Sequence, residues 1–424
     1  MSIFRTVYYF FSRYTGPDER RVGRFFERVK ENHSPHQVEK SLVPLLQRSI
    51  AVVNLWTEHR YKGYTYLAKR TRKELYTNLA AIHEDFAAFS STQHIDIKGT
   101  IAQIASLDVE TARVRTFPDQ LAHLVCIMRY LSPESGRYIY RASSSFGRLL
   151  QDPTHEILEG DCNQIVTLYL SLYATKFNIT DFRLTLLPNH VALNFCGIDI
   201  ETTTGEFAHY NEKGQHSAPV HEIVSVNLLD TTDTNVAQSM VNPEVFLQSA
   251  RLAYIVSSDR KLVEGNLAIT YQNTVNYLLR GKQYKQALVY AVQSKQYELI
   301  EVVSYNGALD AVDSQHFKEA RGFAAHSSRK TELARMIDER EAVSLYQAAR
   351  YQDALKLYKK VGSRDGIRQS YRALYVQTQA DLKRMHTTDD IKAHAGTIRK
   401  MEHYAKASGD KELIEHVRSL TKYL

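Results

Sequence analysis

The chain has 424 residues and a mass of 48.6 kDa, which is enough for two or three ordinary domains. With 43% hydrophobic and 24% charged residues, its composition excludes a disordered or collagen-like chain. The net charge of +7 is small for this length, so it does not call for a nucleic-acid partner. The three cysteines form no Cys-x-x-Cys pair, which argues against a disulfide framework or a thiolate zinc site and fits a reducing compartment.

The only strongly apolar run near the N-terminus covers residues 7–11. It is shorter than the core of a signal peptide and much shorter than a membrane span. We therefore expect a soluble, cytoplasmic protein without a membrane segment.

Helical periodicity dominates the first part of the chain, and it predicts a helical N-terminal region over residues 1–110. Within it, residues 60–73 alternate Arg and Lys with Tyr. Such a stretch can contact phosphates and stack on bases. We favour a solvated helix face with its alkyl stems lying on the surface, so nucleic acid is not expected as a partner.

The middle of the chain changes character. Apolar-periodic helices are predicted at 121–133 and 161–177, and three short β-like runs follow at 182–188, 190–195 and 198–203. Helices followed by an antiparallel sheet indicate an α+β domain, which we place at residues 111–245.

The second of these helices begins with a reactive pattern, Gly160-Asp161-Cys162-Asn163-Gln164. Asp161 with Gln164 three residues later has the form of a capping box, which would place Cys162 in the first turn. There the free N–H groups and the helix dipole favour thiolate over thiol and face a developing oxyanion. Cys126 and Cys196 have no such setting and are interpreted as core residues.

A cysteine nucleophile needs a base and an orienting acid. His190 follows Pro188-Asn189 at the start of a predicted strand. If Cys196-Gly197 form a two-residue turn, Phe195 pairs with Ile198 and, by counting back, His190 pairs with Thr203. On the next strand Glu201 and Asp199 then share the face of His190. Glu201 is the nearer and is favoured, and Asp199 remains the alternative because a bulge would change the register.

The three blocks GDCNQ, LPNHVALNF and IDIETTTG resemble those of the transglutaminase-like superfamily. In that family a helix-start cysteine, a strand histidine and an acid on the next strand form a papain-type triad. The resemblance implies that Cys162 is the nucleophile, His190 the base and Glu201 the orienting acid. It covers roughly residues 115–210, and the chain has Glu201-Thr202 where the family often has Asp-Pro.

The C-terminal part has no proline after residue 243 and is predicted to be helical. Aligning the chain on itself superposes QYKQALVYA (283–291), HFKEARGFA (316–324) and RYQDALKLY (350–358), at offsets of 33 and 34 residues. An aromatic followed three residues later by alanine at this period resembles the tetratricopeptide repeat. We expect three repeats over 262–424 with a capping helix at LIEHVRSLTKYL. The joining of the two parts resembles a bacterial group with a transglutaminase-like domain before such repeats.

These patterns predict a cysteine-dependent hydrolase or acyltransferase acting on amides, with repeats that bind a protein or peptide partner. The alternative is a noncatalytic scaffold of the same architecture. No motif for a dinucleotide, a phosphate loop or a His-Glu-x-x-His metal site occurs, so no cofactor is expected. Cys162 and His190 could ligate zinc together with an acid, but the helix-start position favours a nucleophile.

Overall fold

The computed structural model describes residues 9, 11–142, 145–211, 213–230, 243–380, 382 and 387–424. The chain divides into two compact units, Met1–Thr270 and Tyr271–Leu424. The first is an α+β unit and the second is helical throughout its described residues. In these ranges no helix combines the length and the apolar character needed to cross a membrane. Residues 7, 8 and 10 of the N-terminal apolar run lie outside them.

The α-helices of the first unit, within its described residues, share one hydrophobic core with a small sheet, apart from the last of them. They are α1 (Pro17–Arg28), α2 (Pro35–Arg60), α3 (Lys69–Thr92), α4 (Ile97–Ala105), α5 (Pro118–Leu131), α6 (Phe146–Leu149), α7 (Cys162–Tyr173), α8 (Ile223–Leu229), α9 (Pro243–Val256) and α10 (Arg260–Arg280), which continues into the second unit. The predicted helical region 1–110 supplies α1 to α4, and their apolar faces join one core with α7 and the sheet. These helices therefore belong to the unit that contains Cys162.

The described residues of the first unit form two sheets. The smaller one pairs β1 (Tyr138–Tyr140) with β2 (Leu158–Gly160) in parallel. The larger one is antiparallel with the order β6-β5-β4-β3-β7, where β3 is Phe182–Leu187, β4 His190–Phe195, β5 Ile198–Glu201, β6 Glu206–Ala208 and β7 His216–Pro219. Sequence analysis predicted its three central strands and missed the short edge strands β6 and β7.

The predicted register of β4 and β5 is confirmed where the two strands pair. Phe195 pairs with Ile198 across a turn in which Cys196 and Gly197 both have positive φ, as a two-residue hairpin of this kind requires. The predicted pairing of His190 with Thr203 is wrong, because β5 ends at Glu201. The chain turns there to form β6, and the Gly205 N–H donates to the Glu201 carbonyl at 2.8 Å.

The basic stretch 60–73 is a solvated face only in part: Arg60, Arg70 and Lys73 are exposed, and its other three basic side chains are not. Arg72 is 1% exposed and donates to the equally buried Glu19 at 2.7 Å. Lys62 is buried, and Lys69 donates to the Ser12 carbonyl at 2.6 Å. Arg72 and Lys69 thus connect α3 to the segments at the N-terminus, so part of the alternation of basic and aromatic residues reflects packing.

The second unit continues from α10 as a series of helices. Among the described residues they are α11 (Tyr284–Ser294), α12 (Tyr297–Asp313), α13 (Phe317–Ala324), α14 (Lys330–Gln347), α15 (Tyr351–Val361), α16 (Arg364–Ala380), α17 (Thr388–Ala393), α18 (Ala395–Ser408) and α19 (Lys411–Thr421). The predicted capping helix corresponds to α19, whose Val417 packs on Ile398 and Met401.

The three aligned segments begin in the same way. Tyr284, Phe317 and Tyr351 are each the first residue of a helix, and the alanine three positions later is fully buried in all three. The preceding residue has φ between -89° and -87° and ψ between 56° and 59° in all three. The residue before that one has positive φ. The sequence period thus corresponds to a repeated helix–turn–helix with a small residue at the contact.

Candidate active site

Cys162 is the first residue of α7, and the predicted cap is confirmed. The Asp161 carboxylate accepts the Asn163 N–H at 3.0 Å, and Gln164 Oε1 accepts the Asp161 N–H at 2.8 Å. The strand β2 ends immediately before, where the Tyr138 hydroxyl donates to the Gly160 carbonyl at 2.8 Å. The reciprocal hydrogen bonds of Asp161 and Gln164 determine where the helix begins, and this start places Cys162.

His190 is the first residue of β4, and its imidazole forms a hydrogen bond with the side chain of Cys162. Pro188 and Asn189 form the turn from β3, with Asn189 at φ 59°, so that His190 pairs with Leu187. His190 Nε2 lies 2.7 Å from Glu201 Oε2. Because Glu201 occupies Nε2, Nδ1 is the ring nitrogen that remains for the sulfur.

Charge couples the three side chains. Hydrogen bonding to Cys162, and next to Glu201, raises the pKa of His190 from 6.5 to about 10. Burial opposes ionisation of Glu201, yet hydrogen bonds from His190, Thr203 and Tyr210 lower its pKa to about 2. The raised pKa of His190 favours its imidazolium form at neutral pH, and this cation lies beside the Glu201 carboxylate.

Asp199, the alternative acid, does not contact the imidazole in the described structure. Its side chain is 2% exposed, and its Oδ1 accepts from Thr185 Oγ1 at 2.6 Å and from Asn194 Nδ2 at 2.8 Å. Its Oδ2 accepts the Tyr210 N–H at 2.9 Å. Of the two acids weighed from sequence, the structure brings Glu201 to His190.

The Cys162–His190 pair opens into a cleft of about 490 Å³. Cys162 is 8% exposed and lines this cleft, so it is accessible from one side only. The rest of the lining is partly polar and partly apolar: Tyr140, Ala142, Asp161, Asn163, Leu186, Leu187, Asn189, Val191, Glu222, Ser225, Val226, Leu229, Asp230, Leu262, Val263 and Asn266. The cleft is large enough for a side chain or a short peptide segment.

The other cysteines lie away from this arrangement. Cys126 is buried in α5, and Cys196 is half-buried in the β4–β5 turn. Burial raises the pKa of the Cys196 thiol. In the described parts of the chain, no group of three or more His, Cys, Asp or Glu side chains could hold a metal ion.

Several residues around the acid were not identified from sequence. Thr203 donates its N–H to Glu201 Oε1 at 3.0 Å and also donates its hydroxyl, while the Tyr210 hydroxyl donates to Glu201 Oε2. The contact of Thr203 is local and could have been predicted from its position two residues after an acid at a strand end. The contact of Tyr210 depends on the β5–β6 hairpin, which was not predicted although Gly205 in its turn is a turn signal.

Comparison of the chain with protein-family models, with curated proteins and with solved structures gives no match in any of the three. The function is therefore inferred from the geometry of the cleft.

Proposed function

We propose that the first unit is a cysteine-dependent hydrolase or acyltransferase that acts on amides, with Cys162 as nucleophile, His190 as acid and base, and Glu201 as the orienting acid. The observation that carries this proposal is that a capped helix start and a His–Glu hydrogen bond of 2.7 Å meet at one open cleft. The resemblance of the three sequence blocks to the transglutaminase-like superfamily supports the same roles.

The chemistry follows from these positions. The Cys162 thiolate attacks the amide carbonyl carbon, and the oxygen takes the negative charge. The carbon–nitrogen bond then breaks while the His190 imidazolium gives its proton to the leaving amine. Water or a second amine attacks the resulting thioester, His190 takes the proton of this acceptor, and the carbon–sulfur bond breaks to return the thiolate. Glu201 keeps Nδ1 directed at the sulfur throughout.

The helix start also supplies a donor for the oxyanion. Within the described residues the Cys162 N–H donates to no acceptor, as expected for the first residue of a helix. It lies at the atom that reacts, so a carbonyl oxygen approaching the sulfur would meet it. One such donor typically contributes 10²–10³-fold to the rate.

The second unit is proposed to bind a protein or peptide partner. It has a groove of about 830 Å³ that includes Leu288, Phe317 and Phe323. Basic and acidic side chains also line the groove, and Lys285 forms an ion pair with Glu319 at 3.1 Å. The apolar side chains of the groove suit a segment that presents apolar residues. Such binding would bring substrates to the chain, and it would be the whole function if the cleft were unreactive.

Alkylation kinetics test the catalytic proposal. The protein is pulsed with iodoacetamide at pH 7, and each cysteine is quantified by peptide mapping. Cys162 is expected to react at least ~100-fold faster than Cys196, whose half-buried thiol serves as the control in the same chain. His190→Ala should remove most of this difference, since the imidazolium is lost, whereas the exposed His155→Ala should not change it.

A second assay separates hydrolysis from transfer. A short glutamine-containing peptide is incubated with the protein, with and without hydroxylamine as acceptor. Release of ammonia in both cases, with hydroxamate formed only in the second, would indicate that an amine can replace water. If Cys162 reacts no faster than Cys196 and no ammonia is released, the noncatalytic scaffold is the correct function.

A further inference from the structure

The acid of the candidate triad is held by more than the imidazole. Glu201 Oε2 accepts from His190 Nε2 at 2.7 Å and also from the Tyr210 hydroxyl. The other oxygen, Oε1, accepts the N–H and the hydroxyl of Thr203. His190 and Tyr210 therefore share one carboxylate oxygen, so a change at the tyrosine hydroxyl acts on the same atom that orients the imidazole.

Tyr210 is itself anchored from inside the sheet. Its N–H donates to Asp199 Oδ2 at 2.9 Å, and the other oxygen of Asp199 is held by Thr185 and Asn194. The Tyr210 ring also lies edge-on to the imidazole, with 6.4 Å between the ring centroids and 74° between the planes. These contacts come from β3, β4 and β5, and together they hold the Tyr210 side chain beside Glu201.

From these contacts we infer that Tyr210 is a positioning residue for the His190–Glu201 pair and that Asp199 acts through it. Tyr210 limits rotation of the Glu201 carboxylate and stabilises its charged form, because a hydroxyl that donates to an anion forms a strong hydrogen bond. Asp199 holds the backbone of Tyr210 in place. Glu201 therefore contacts the imidazole directly, and Asp199 contributes to the site through Tyr210. The inference rests on the proposed function only in that His190 assists Cys162.

Tyr210→Phe tests this inference because it removes one hydroxyl and keeps the ring. The pKa of Glu201, followed by ¹³C NMR of labelled glutamate, should rise by ~1 to 2 pH units, which corresponds to the loss of one hydrogen bond to a charged group. The rate of Cys162 alkylation at pH 7 should fall ~5- to 20-fold, with unchanged rates at Cys196. A purely structural role would lower thermal stability without moving the pKa of Glu201.

A matched control is Tyr130→Phe, which removes a tyrosine–carboxylate hydrogen bond to Asp85, 2.9 Å long, away from the cleft. This variant should change neither the pKa of Glu201 nor the rate at Cys162. Asp199→Asn places an amide where three donors converge, so it should shift Glu201 in the same direction as Tyr210→Phe.

The outcomes separate the two proposals. If Glu201 titrates as in the wild type in Tyr210→Phe, or if alkylation is unchanged there while His190→Ala slows it, the positioning role is wrong and the nucleophile stands. If His190→Ala leaves alkylation unchanged, the proposed triad is wrong, and a raised pKa of Glu201 in Tyr210→Phe would still show that the tyrosine holds the carboxylate.

Discussion

The two units of the chain distribute their important contacts differently. In the first unit, one helix start and two strands bring together Cys162, His190 and Glu201. This arrangement of side chains is not repeated within the described residues of the unit. In the second, one local arrangement occurs three times: a positive-φ residue, a helix that starts with an aromatic, and a buried alanine. A single change in the first unit can break the contact between His190 and Glu201, whereas a single change in the second weakens one of several similar contacts.

The two units differ because the first depends on distances between particular side chains and the second depends on how closely its helices approach. The cleft depends on distances between side chains, such as the 2.7 Å between His190 and Glu201, and these are fixed by a network of hydrogen bonds. The helical unit depends on close approach of neighbouring helices, which needs small residues but not a particular side-chain chemistry. Substitutions should therefore show a division between loss of reactivity and loss of stability.

The largest stability effect is expected where a glycine is in contact with an aromatic ring. A Cβ at Gly307 would lie 2.8 Å from the Phe323 ring, so Gly307→Ala forces α12 and α13 apart. Overpacking of this kind costs ~1 to 3 kcal/mol. Chemical denaturation should show this loss, while the alkylation rate of Cys162 stays at the wild-type value.

The control for this change is Gly322→Ala on α13, where nothing lies within 4 Å of a Cβ. Alanine is the better helix former, so this variant should be ~0.5 to 1 kcal/mol more stable. Equal effects of the two substitutions would show that the helices do not depend on close approach at Gly307. If Gly307→Ala reduces the reactivity of Cys162, then substitutions in the second unit do affect the cleft of the first unit, and the expected separation of stability from reactivity is wrong.

A smaller effect should appear in the pH dependence of stability of the first unit. The pKa of His190 is raised to about 10 from 6.5, so its stabilising contribution is complete below pH 6.5 and is lost as the pH rises through 10. The pKa of Glu201 is lowered to about 2, so its contribution is present above pH 4.5 and is lost as the pH falls toward 2. Between pH 4.5 and 6.5 both contributions are complete.

His190→Gln isolates the alkaline part of this dependence. The wild type should lose ~1 to 2 kcal/mol relative to the variant between pH 6.5 and 10, as expected for hydrogen bonds to a charged group. Hydrogen exchange of α7 and β4 measures the first unit, and exchange of α14 and α15 provides the control. If the free energy of unfolding changes with pH equally in the wild type and in His190→Gln, then His190 is not held as an imidazolium.

Sequence reasoning was most successful where a pattern is local. The start of α7 at Cys162 follows from Asp161 and Gln164. The self-alignment predicted three equivalent segments, and in the structure Tyr284, Phe317 and Tyr351 each begin a helix. Each of these signals lies within a few residues of the feature it predicts. The β4–β5 turn was predictable for the same reason.

The missed features depend on contacts between distant segments. The three-residue strands β1, β2 and β6 are too short to show alternation, and their pairing is decided by the surrounding core. The burial of Arg72 depends on Glu19, which lies 53 residues earlier in the chain. Because β6 was missed, the end of β5 at Glu201 and the contact with Tyr210 could not be predicted.

The smallest expected effect tests whether the repeated turn carries strain. Ala349 has φ 59°, in the left-handed region that favours glycine. Ala349→Gly should therefore raise the stability of the helical unit by up to ~1 kcal/mol, because removal of the Cβ relieves the steric penalty and offsets the greater entropy of the unfolded chain. The neighbouring Ala348 has φ -80° and is also exposed, so Ala348→Gly gains nothing and should be neutral or slightly destabilising. Denaturation midpoints of the two variants measure the difference. If the turn carries no strain, both substitutions should change the stability in the same direction.

The equivalent positions of the other two repeats extend this test. Lys282 and Gln315 have φ 54° and 60°, so glycine there should act additively with Ala349→Gly if the repeats are independent.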